Sequence, residues 1–508
     1  MRTGGVLNIL GKLLILISLF LLTPIPFSLV FQDGMVPVFL LCALIGAGLG
    51  GLIVAVFVPE KDLGYRDGFA VVVLSWLGLA FLGSLPYYFC GVMPAYVDCF
   101  FESMSGFTTT GSTILAEVEV LPESILFWRA TTHWIGGMGI IVLSLAILPL
   151  LGVGGTQLFQ AEMPGPTKDR LAPRIQDTAR ILWAVYVLFT LIEILLLLLG
   201  GMSFFNAVCH AFATLATGGF STHTASVAFY SSSSIHYVLI VFMLLAGVNF
   251  SLHHKVLMSG RLADYWENEE FRLYLLLIGL TTGVILAANL AANIHDDVLR
   301  GFRDVLFQVV SIQTTTGFGT ADFDQWPPVC KVLLVSLMFV GGCAGSTGGG
   351  IKVVRILLFF KYARLQLHSL VHPRSVGTIK LGSQKVPKEI MIAILGFFAL
   401  YISFFLLASL VVTGLGVDLV TGMTAVVATL NNIGPGLNKV GPACNFGSLP
   451  ALAKWVLSFC MLAGRLELYA VVVLLSPDFW KMARKPRLRW RVATGKPGAG
   501  TSCEERSR

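Results

Sequence analysis

The stretch Ser105-Gly-Phe-Thr-Thr-Thr-Gly-Ser112 has three relatives in the same chain: Leu215-Ala-Thr-Gly-Gly-Phe-Ser221, Gln313-Thr-Thr-Thr-Gly-Phe-Gly319 and Leu430-Asn-Asn-Ile-Gly-Pro-Gly436. Taking Gly111, Gly218, Gly317 and Gly434 as equivalent, the copies stand 107, 99 and 117 residues apart. That period is too long for a solenoid. It fits a unit of one membrane span, a half-length helix, an extended loop and a second span. Each copy follows an apolar segment too short to cross a bilayer, near 95–109, 203–216, 301–315 and 418–431. Such segments read as re-entrant helices that enter the membrane partway and return as extended backbone. A single Gly/Thr-rich loop is equally well a tight turn or a packing spot. Four at near-equal spacing in one context point to a ring around a pore.

Composition agrees. Of 508 residues, 56% are hydrophobic and only 12% charged, about half the charge of a soluble globule, so a water-soluble fold is excluded. Apolar runs predict ten full spans near 6–30, 37–58, 68–90, 125–150, 181–200, 235–254, 271–292, 331–358, 389–414 and 452–475. The first is read as a retained span because it is too long for a signal sequence and lacks a small-x-small cleavage site. The fold class is an all-α integral membrane protein with four pseudo-repeats of helix, pore helix, filter loop and helix around one central pore, plus two extra N-terminal transmembrane helices. The divisions are 1–67 for the extra pair, 68–180, 181–270, 271–388 and 389–482 for the repeats, and 483–508 for a basic tail.

The net charge of +7 is a topology signal, and nucleic acid is not an expected partner. Lys61, Arg66, Lys168, Arg170, Arg174, Arg180, Lys255, Arg261, Arg272 and the basic residues of 361–388 and 481–491 fall on one side, which assigns both termini to the cytoplasm. The nine cysteines show no C-x-x-C spacing and read as small buried hydrophobes. His133, His210 and His223 lack metal-ligand spacing. No Ser/His/Asp or Cys/His set suggests an enzyme.

Loops of this kind suit a cation, because rings of backbone carbonyls replace the water it sheds. Glycine lets the backbone reach conformations closed to a residue with a Cβ. Each short helix runs inward, so the negative end of its dipole points at the pore interior. The eighth span is interrupted by Gly341-Gly342 and by Gly345-Ser-Thr-Gly-Gly-Gly350, which reads either as close helix packing or as an unwound segment lining a cavity. With Ile351 and Lys352 it nearly spells a phosphate loop, but the intervening isoleucine and the lack of a preceding strand exclude nucleotide binding. Arg465 sits in an otherwise apolar span, as a functional charge or as the partner of nearby Glu467. Arg129 reads as an interfacial anchor beside Trp128, and Glu102 as a hydrogen-bonded structural group.

With these loops go Phe127-Trp-Arg-Ala130, Trp134-Ile-Gly-Gly-Met-Gly-Ile-Ile141, Glu162-Met-Pro-Gly-Pro166, Asn268-Glu-Glu-Phe-Arg272, Gly342-Cys-Ala-Gly-Ser-Thr-Gly-Gly-Gly350 and Ala463-Gly-Arg-Leu-Glu467. In this combination the chain resembles, up to about residue 482, the bacterial potassium uptake proteins of the TrkH/TrkG type. The resemblance implies K⁺ uptake across the inner membrane, with Rb⁺ as surrogate, K⁺ as the bound substrate and no organic cofactor on this chain. It implies K⁺-binding carbonyls at Thr109, Thr110, Gly111 and Ser112; Ala216, Thr217, Gly218 and Gly219; Thr315, Thr316, Gly317 and Phe318; and Asn432, Ile433, Gly434 and Pro435. Relatives with serine in place of Gly111 tend toward Na⁺. The resemblance further implies a gate at Gly345, Ser346, Thr347, Gly348, Gly349, Gly350 and Lys352, with Arg465 facing the cavity as an electrostatic barrier. A TrkA-like nucleotide-binding ring on the cytoplasmic side and a homodimer follow from it too. The alternative is a secondary active transporter coupling K⁺ to H⁺ or Na⁺.

Overall fold

The computed structural model describes residues 3–59, 64–93, 95–147, 175–294, 297–375 and 377–480. The 162–166 motif, Lys61, Lys168, Arg170, Arg174, the basic residues of 481–491 and the 483–508 tail lie outside the described residues. Among those described, every major element is a helix, apart from one short hairpin pairing Lys380–Leu381 with Gln384–Lys385.

Thr3–Phe20 is followed, past Pro24, by Ile25–Phe31, with Pro26 in its first turn, and then by Val36–Val56. A four-element pattern then recurs four times. It begins with a long helix: Tyr65–Cys90, Ile175–Leu199, Glu269–Ala291 and Lys388–Gly414. A short helix follows: Tyr96–Phe107, Phe204–Leu215, Val298–Gln313 and Leu419–Leu430. An extended loop and a second span complete each unit.

The long helices of the repeats have 23 to 27 residues, about 35–40 Å at 1.5 Å per residue, enough for a hydrocarbon core of roughly 30 Å. Three short helices have 12 residues and the third has 16, about 18–24 Å, so none crosses. Leu44, Leu191, Leu276 and Leu407 project outward and exposed, an arrangement that lipid tolerates and water does not.

The second spans depart from the expected continuity. The predicted 235–254 helix is two helices, Ser233–Ala246 and Phe250–Ser259, turned by 101°. The turn falls at Gly247-Val248-Asn249, where Asn249 Oδ1 accepts from Ser251 N at 2.8 Å and starts the second helix. The predicted 452–475 helix likewise divides into Ala451–Arg465 and Tyr469–Leu475, turned by 120°. Here Glu467 and Leu468 adopt φ of 58° and 54°, which no helix accommodates. The eighth span is interrupted as expected, between Pro328–Met338 and Val353–Val371.

The repeats close on themselves. Each short helix packs on spans of its own repeat and also on the second span of the repeat before it. Phe204–Leu215 thus meets Glu123–Ile147, Val298–Gln313 meets Ser233–Ala246, and Leu419–Leu430 meets Pro328–Met338. The circle ends where Tyr96–Phe107 meets Ala451–Arg465, tied by Lys454 Nζ donating to Asp98 Oδ1 at 2.7 Å.

Outside the ring, Thr3–Phe20 crosses Val36–Val56 through glycine. A Cβ added at Gly50 would lie 2.6 Å from the Gly11 carbonyl oxygen, and one at Gly11 2.8 Å from that of Gly50. Small residues allow this approach in lipid, where close packing takes over much of the role that the hydrophobic effect has in water. Gly50→Val is expected to lower the melting temperature of the detergent-solubilised protein by several degrees. An unchanged melting temperature would refute the close crossing.

Candidate functional site

All four short helices end in the same cap. The first residue beyond the C-cap is Thr109, Thr217, Thr315 or Asn432, with φ of 53°, 54°, 60° and 55°. Its N–H donates back to Gly106, Thr214, Ile312 or Thr429, and the next N–H donates at 2.8 Å to Ser105, Ala213, Ser311 or Ala428. This is a Schellman cap, whose left-handed residue is normally glycine. Here it is a β-branched threonine three times, each costing roughly 1–3 kcal/mol of backbone strain. Strain repeated at equivalent positions marks a site that requires the conformation.

Two residues further on, the chain turns left-handed again, at Gly111 (φ 77°), Gly219 (79°), Gly317 (84°) and Gly434 (107°). Alternating handedness is the backbone pattern that turns successive carbonyls to one side. It also corrects the register of the second loop. Gly219, not Gly218, is the equivalent of Gly111, Gly317 and Gly434, so Ala216 is the C-cap of its helix and Phe220 enters the set as the counterpart of Ser112, Phe318 and Pro435. Two adjacent glycines left the sequence ambiguous, and only the cap hydrogen bonds resolve it.

The glycines close a ring. A Cβ at Gly111 would overlap the Gly218 carbonyl oxygen, one at Gly219 that of Thr316, and one at Gly317 that of Ile433; at Gly434 it would lie 2.9 Å from the Thr110 oxygen. Each loop thus presents a bare Cα to a carbonyl of the next loop, in the order one, two, three, four and back to one. All four glycines line a single outer cavity of about 90 Å³, which also reaches Ser112 and Pro435.

The seams between loops differ. Between loops one and two, Arg129 donates through Nε and Nη2 to Glu102 Oε1 at 3.0 and 2.8 Å and through Nη1 to the Ser221 carbonyl at 3.1 Å, with its guanidinium 4.0 Å from the Phe220 ring centre. Glu102 also accepts from Thr113 Oγ1 and from Ile114 N at 3.1 Å. Arg129 is 2% exposed, so it is a loop support and not the interfacial anchor expected from Trp128. Between loops four and one, Asn432 Nδ2 donates to Thr110 Oγ1 at 2.9 Å and to the Met461 carbonyl at 3.0 Å, while Ser112 Oγ donates to Gly434 O at 3.0 Å. The asparagine that breaks the Thr-x-Gly pattern therefore makes a cross-loop tie. At the outer rim Glu119 accepts from Thr224 N at 2.8 Å and from its hydroxyl. Burial raises its carboxyl pKa, but the Thr224 hydrogen bonds outweigh that and hold it below the usual carboxylate value.

Two histidines without an expected role stand behind loops two and three. His133 stacks on Phe220 with ring centres 4.1 Å apart, and His210 accepts or donates at Ser221 Oγ, 3.0 Å away, while lying against Phe318.

Beneath the ring lies the interrupted segment 339–352. Gly349 N donates to Thr315 Oγ1 at 2.7 Å, and Gln313 Nε2 to the Gly341 carbonyl at 3.1 Å, so the segment touches the underside of loop three. Thr347 Oγ1 donates to Leu215 O at 2.9 Å, beneath loop two, and Lys352 Nζ bonds the Gly348 carbonyl. Arg465 is 2% exposed and donates to Thr347 O at 2.7 Å and Gly136 O at 3.1 Å, pinning the segment to the first repeat. Its expected alternative partner, Glu467, pairs instead with Arg355. Among the described residues no cluster of three metal-ligating His, Cys, Asp or Glu side chains occurs.

The corrected register gives a test. Gly218→Ala would strike the His133 ring first, whereas Gly219→Ala meets backbone at positive φ. Rb⁺ flux lost in Gly218→Ala is expected to return when His133→Ala is added, and flux lost in Gly219→Ala to resist any neighbouring side-chain truncation. Equal rescue of both would overturn the assignment.

A family model described as TrkH, cation transport protein, matches residues 52–482. The Trk system potassium uptake protein TrkH of Salmonella typhimurium is 44% identical over 487 residues, covering 95% of this chain and all of that protein. The Trk system potassium uptake protein TrkG of Escherichia coli K12 is 35% identical, covering 94% and 98%. The crystal structure of the potassium transporter TrkH from Vibrio parahaemolyticus superposes with a TM-score of 0.88 at 40% identity, covering 95% of this chain and all of that one.

Proposed function

The chain belongs to the TrkH family of cation transport proteins, and on that premise we propose that it is a multi-pass membrane protein that takes up potassium ions through the ring of four loops. The observation that carries this reading is the cyclic contact of each loop glycine with a carbonyl of the next loop. The proposed ligands are the carbonyls of Thr109 to Ser112, Thr217 to Phe220, Thr315 to Phe318 and Asn432 to Pro435.

A potassium ion entering the outer cavity sheds water, and four carbonyls per layer replace it. The strained caps fix those carbonyls in advance, so little ordering remains when the ion arrives. Below the ring the C-terminal ends of four short helices favour a cation. The ion then meets the segment 345–352 and Arg465. The guanidinium repels it directly and, through Thr347, keeps the segment under the ring. Opening requires that segment to move aside. Its many glycines permit several backbone conformations, and its bonds to Thr315 and Leu215 are few enough to exchange for water.

Residence in the bacterial inner membrane, cytoplasmic termini, a homodimer and regulation by a TrkA-like nucleotide-binding ring complete the proposal. They rest on the family resemblance and the placement of basic residues. A second reading, K⁺ uptake coupled to H⁺, is favoured by Glu193. This residue is buried within a span, with the Thr214 hydroxyl as its polar neighbour and no ion pair among the described residues. Rb⁺ flux into liposomes with Na⁺ and pH varied, with and without the regulatory ring, separates the two. Conduction through a pore gives flux that follows the Rb⁺ gradient and the voltage alone. A fixed proton-to-Rb⁺ ratio would establish coupling.

Gly111→Ser places a side chain against the Gly218 carbonyl and is expected to lower K⁺ over Na⁺ discrimination by about tenfold, the effect of ~1.4 kcal/mol; unchanged selectivity would remove loop one from the filter. Arg465→Ala is expected to raise flux several-fold while leaving the K⁺/Na⁺ ratio unchanged. A fall in flux at normal expression would make Arg465 a structural support.

A further inference from the structure

The motif Asn268-Glu-Glu-Phe-Arg272 has no part in the ring. Asn268 caps its helix, with Oδ1 accepting from Phe271 N at 3.0 Å, and leaves Glu269 and Glu270 in the first turn. Carboxylates are stabilised there by the positive end of the helix dipole. The two side chains face different partners, and each partner bears on the segment beneath the ring.

Glu270 is 1% exposed. Its Oε1 accepts from Ala344 N at 2.7 Å and from Val354 N at 3.1 Å. Those two amides flank residues 345–353, which contain every residue of the proposed gate. One carboxylate oxygen therefore staples the base of the segment, aided by Val353 N donating to Gly342 O at 3.2 Å. Hydrogen bonds to an ionised acceptor are the strong kind, and a buried amide that loses one has no water to turn to.

Glu269 pairs with Lys361, on the helix that leaves the segment, and accepts from Gly382 N at 3.3 Å, in the turn of the hairpin. Lys361 Nζ also donates to the Lys380 carbonyl at 2.7 Å. Apolar packing follows the same route. Ala344, Val354 and Leu358 share one buried cluster with Ile379 and Leu381 of the hairpin. The hairpin is thus joined to the segment by its hydrogen bonds to Glu269 and Lys361 and by packed side chains, all within the first three turns of the Val353–Val371 helix.

We propose that Glu269 and Glu270 form a latch: Glu270 holds the intramembrane segment closed from behind, and Glu269 makes that hold depend on the position of the hairpin around Gly382. Lifting the hairpin withdraws Gly382 from Glu269, the Lys380 carbonyl from Lys361 and Leu381 from the apolar cluster, and frees the Val353–Val371 helix to pull Val354 from Glu270. The proposal rests on the reading of 345–352 as a gate. Both acids are positioning residues, since neither touches the ion path.

The test is Rb⁺ uptake by the full chain in liposomes, with K⁺/Na⁺ selectivity measured alongside. Glu270→Gln keeps the shape but removes the charge, and is expected to raise flux by about tenfold, equivalent to ~1.4 kcal/mol, with selectivity unchanged. Glu269→Gln and Lys361→Met, at partly exposed positions, are expected to raise flux less. Because one latch cannot be opened twice, Glu269→Gln combined with Glu270→Gln is expected to match Glu270→Gln alone. Amide hydrogen exchange at Ala344 and Val354 should quicken in all these variants. A purely structural role would lower the melting temperature without raising flux, and that result overturns the latch, as does strict additivity. If Glu270→Gln does not fold, Lys361→Met decides, and unchanged flux with unchanged exchange refutes the idea. Deletion of Gly348 to Gly350 separates the two readings. Raised flux on deletion with no response in the latch variants leaves the gate and removes the latch; no rise on deletion removes the gate itself.

Discussion

The contact between a loop glycine and the carbonyl of the next loop is the constraint on which the rest of the structure depends. A Cβ at Gly111, Gly219 or Gly317 would overlap a carbonyl of the next loop, so a side chain there has to displace its neighbour, and the contact fixes how far each loop stands from the axis. At each of these glycines the backbone is left-handed, two residues after the left-handed cap of the short helix, so cap and contact belong to one chain path. The strain at Thr109, Thr217 and Thr315 is therefore a consequence of the ring. Packing of each short helix between three spans prevents the caps from relaxing to an ordinary helix end.

Pseudo-symmetry extends to the backbone and stops at the side chains. The cap hydrogen bonds repeat four times at closely similar lengths, yet each seam is held by different chemistry. A buried carboxylate and guanidinium hold the first seam, and an asparagine amide holds the last. Removing one partner of the buried pair would leave an uncompensated charge at a cost of about 3–5 kcal/mol, whereas the amide could be replaced by other hydrogen-bonding groups. Four covalently joined repeats permit this division of labour, which four identical subunits would not. The interrupted segment extends this division: one repeat of the four carries it, and a side chain from another repeat, Arg465, holds it.

Much of this was legible in the sequence. The half-length helices are visible because 12 apolar residues cannot cross a bilayer, and the glycine-rich break because so many glycines do not sustain a helix. What was not legible required partners distant in the chain. Glu102 and Arg129 lie 27 residues apart, and Arg355 and Glu467 lie 112 apart, so no local pattern pairs them. The register of the second loop turned on Gly218 and Gly219, which composition alone cannot rank. The bends at Gly247 to Asn249 and Leu466 to Leu468 interrupt runs as apolar as any continuous span, and hydropathy carries no information about backbone direction.

The ion pair of Lys454 with Asp98 joins residues 356 positions apart. A ribosome releases the first short helix into the membrane long before the last span exists, so the circle stays open on one side through most of synthesis. Domains assemble from the N-terminus as they emerge, and contacts of such long range form late. On the proposed reading of the loops as an ion path, the membrane is thereby spared a conducting intermediate. A chain truncated before Asn432 lacks the fourth loop and holds at most an open arc, lined on its unfinished side by lipid, with too few oxygens to replace the water of an ion.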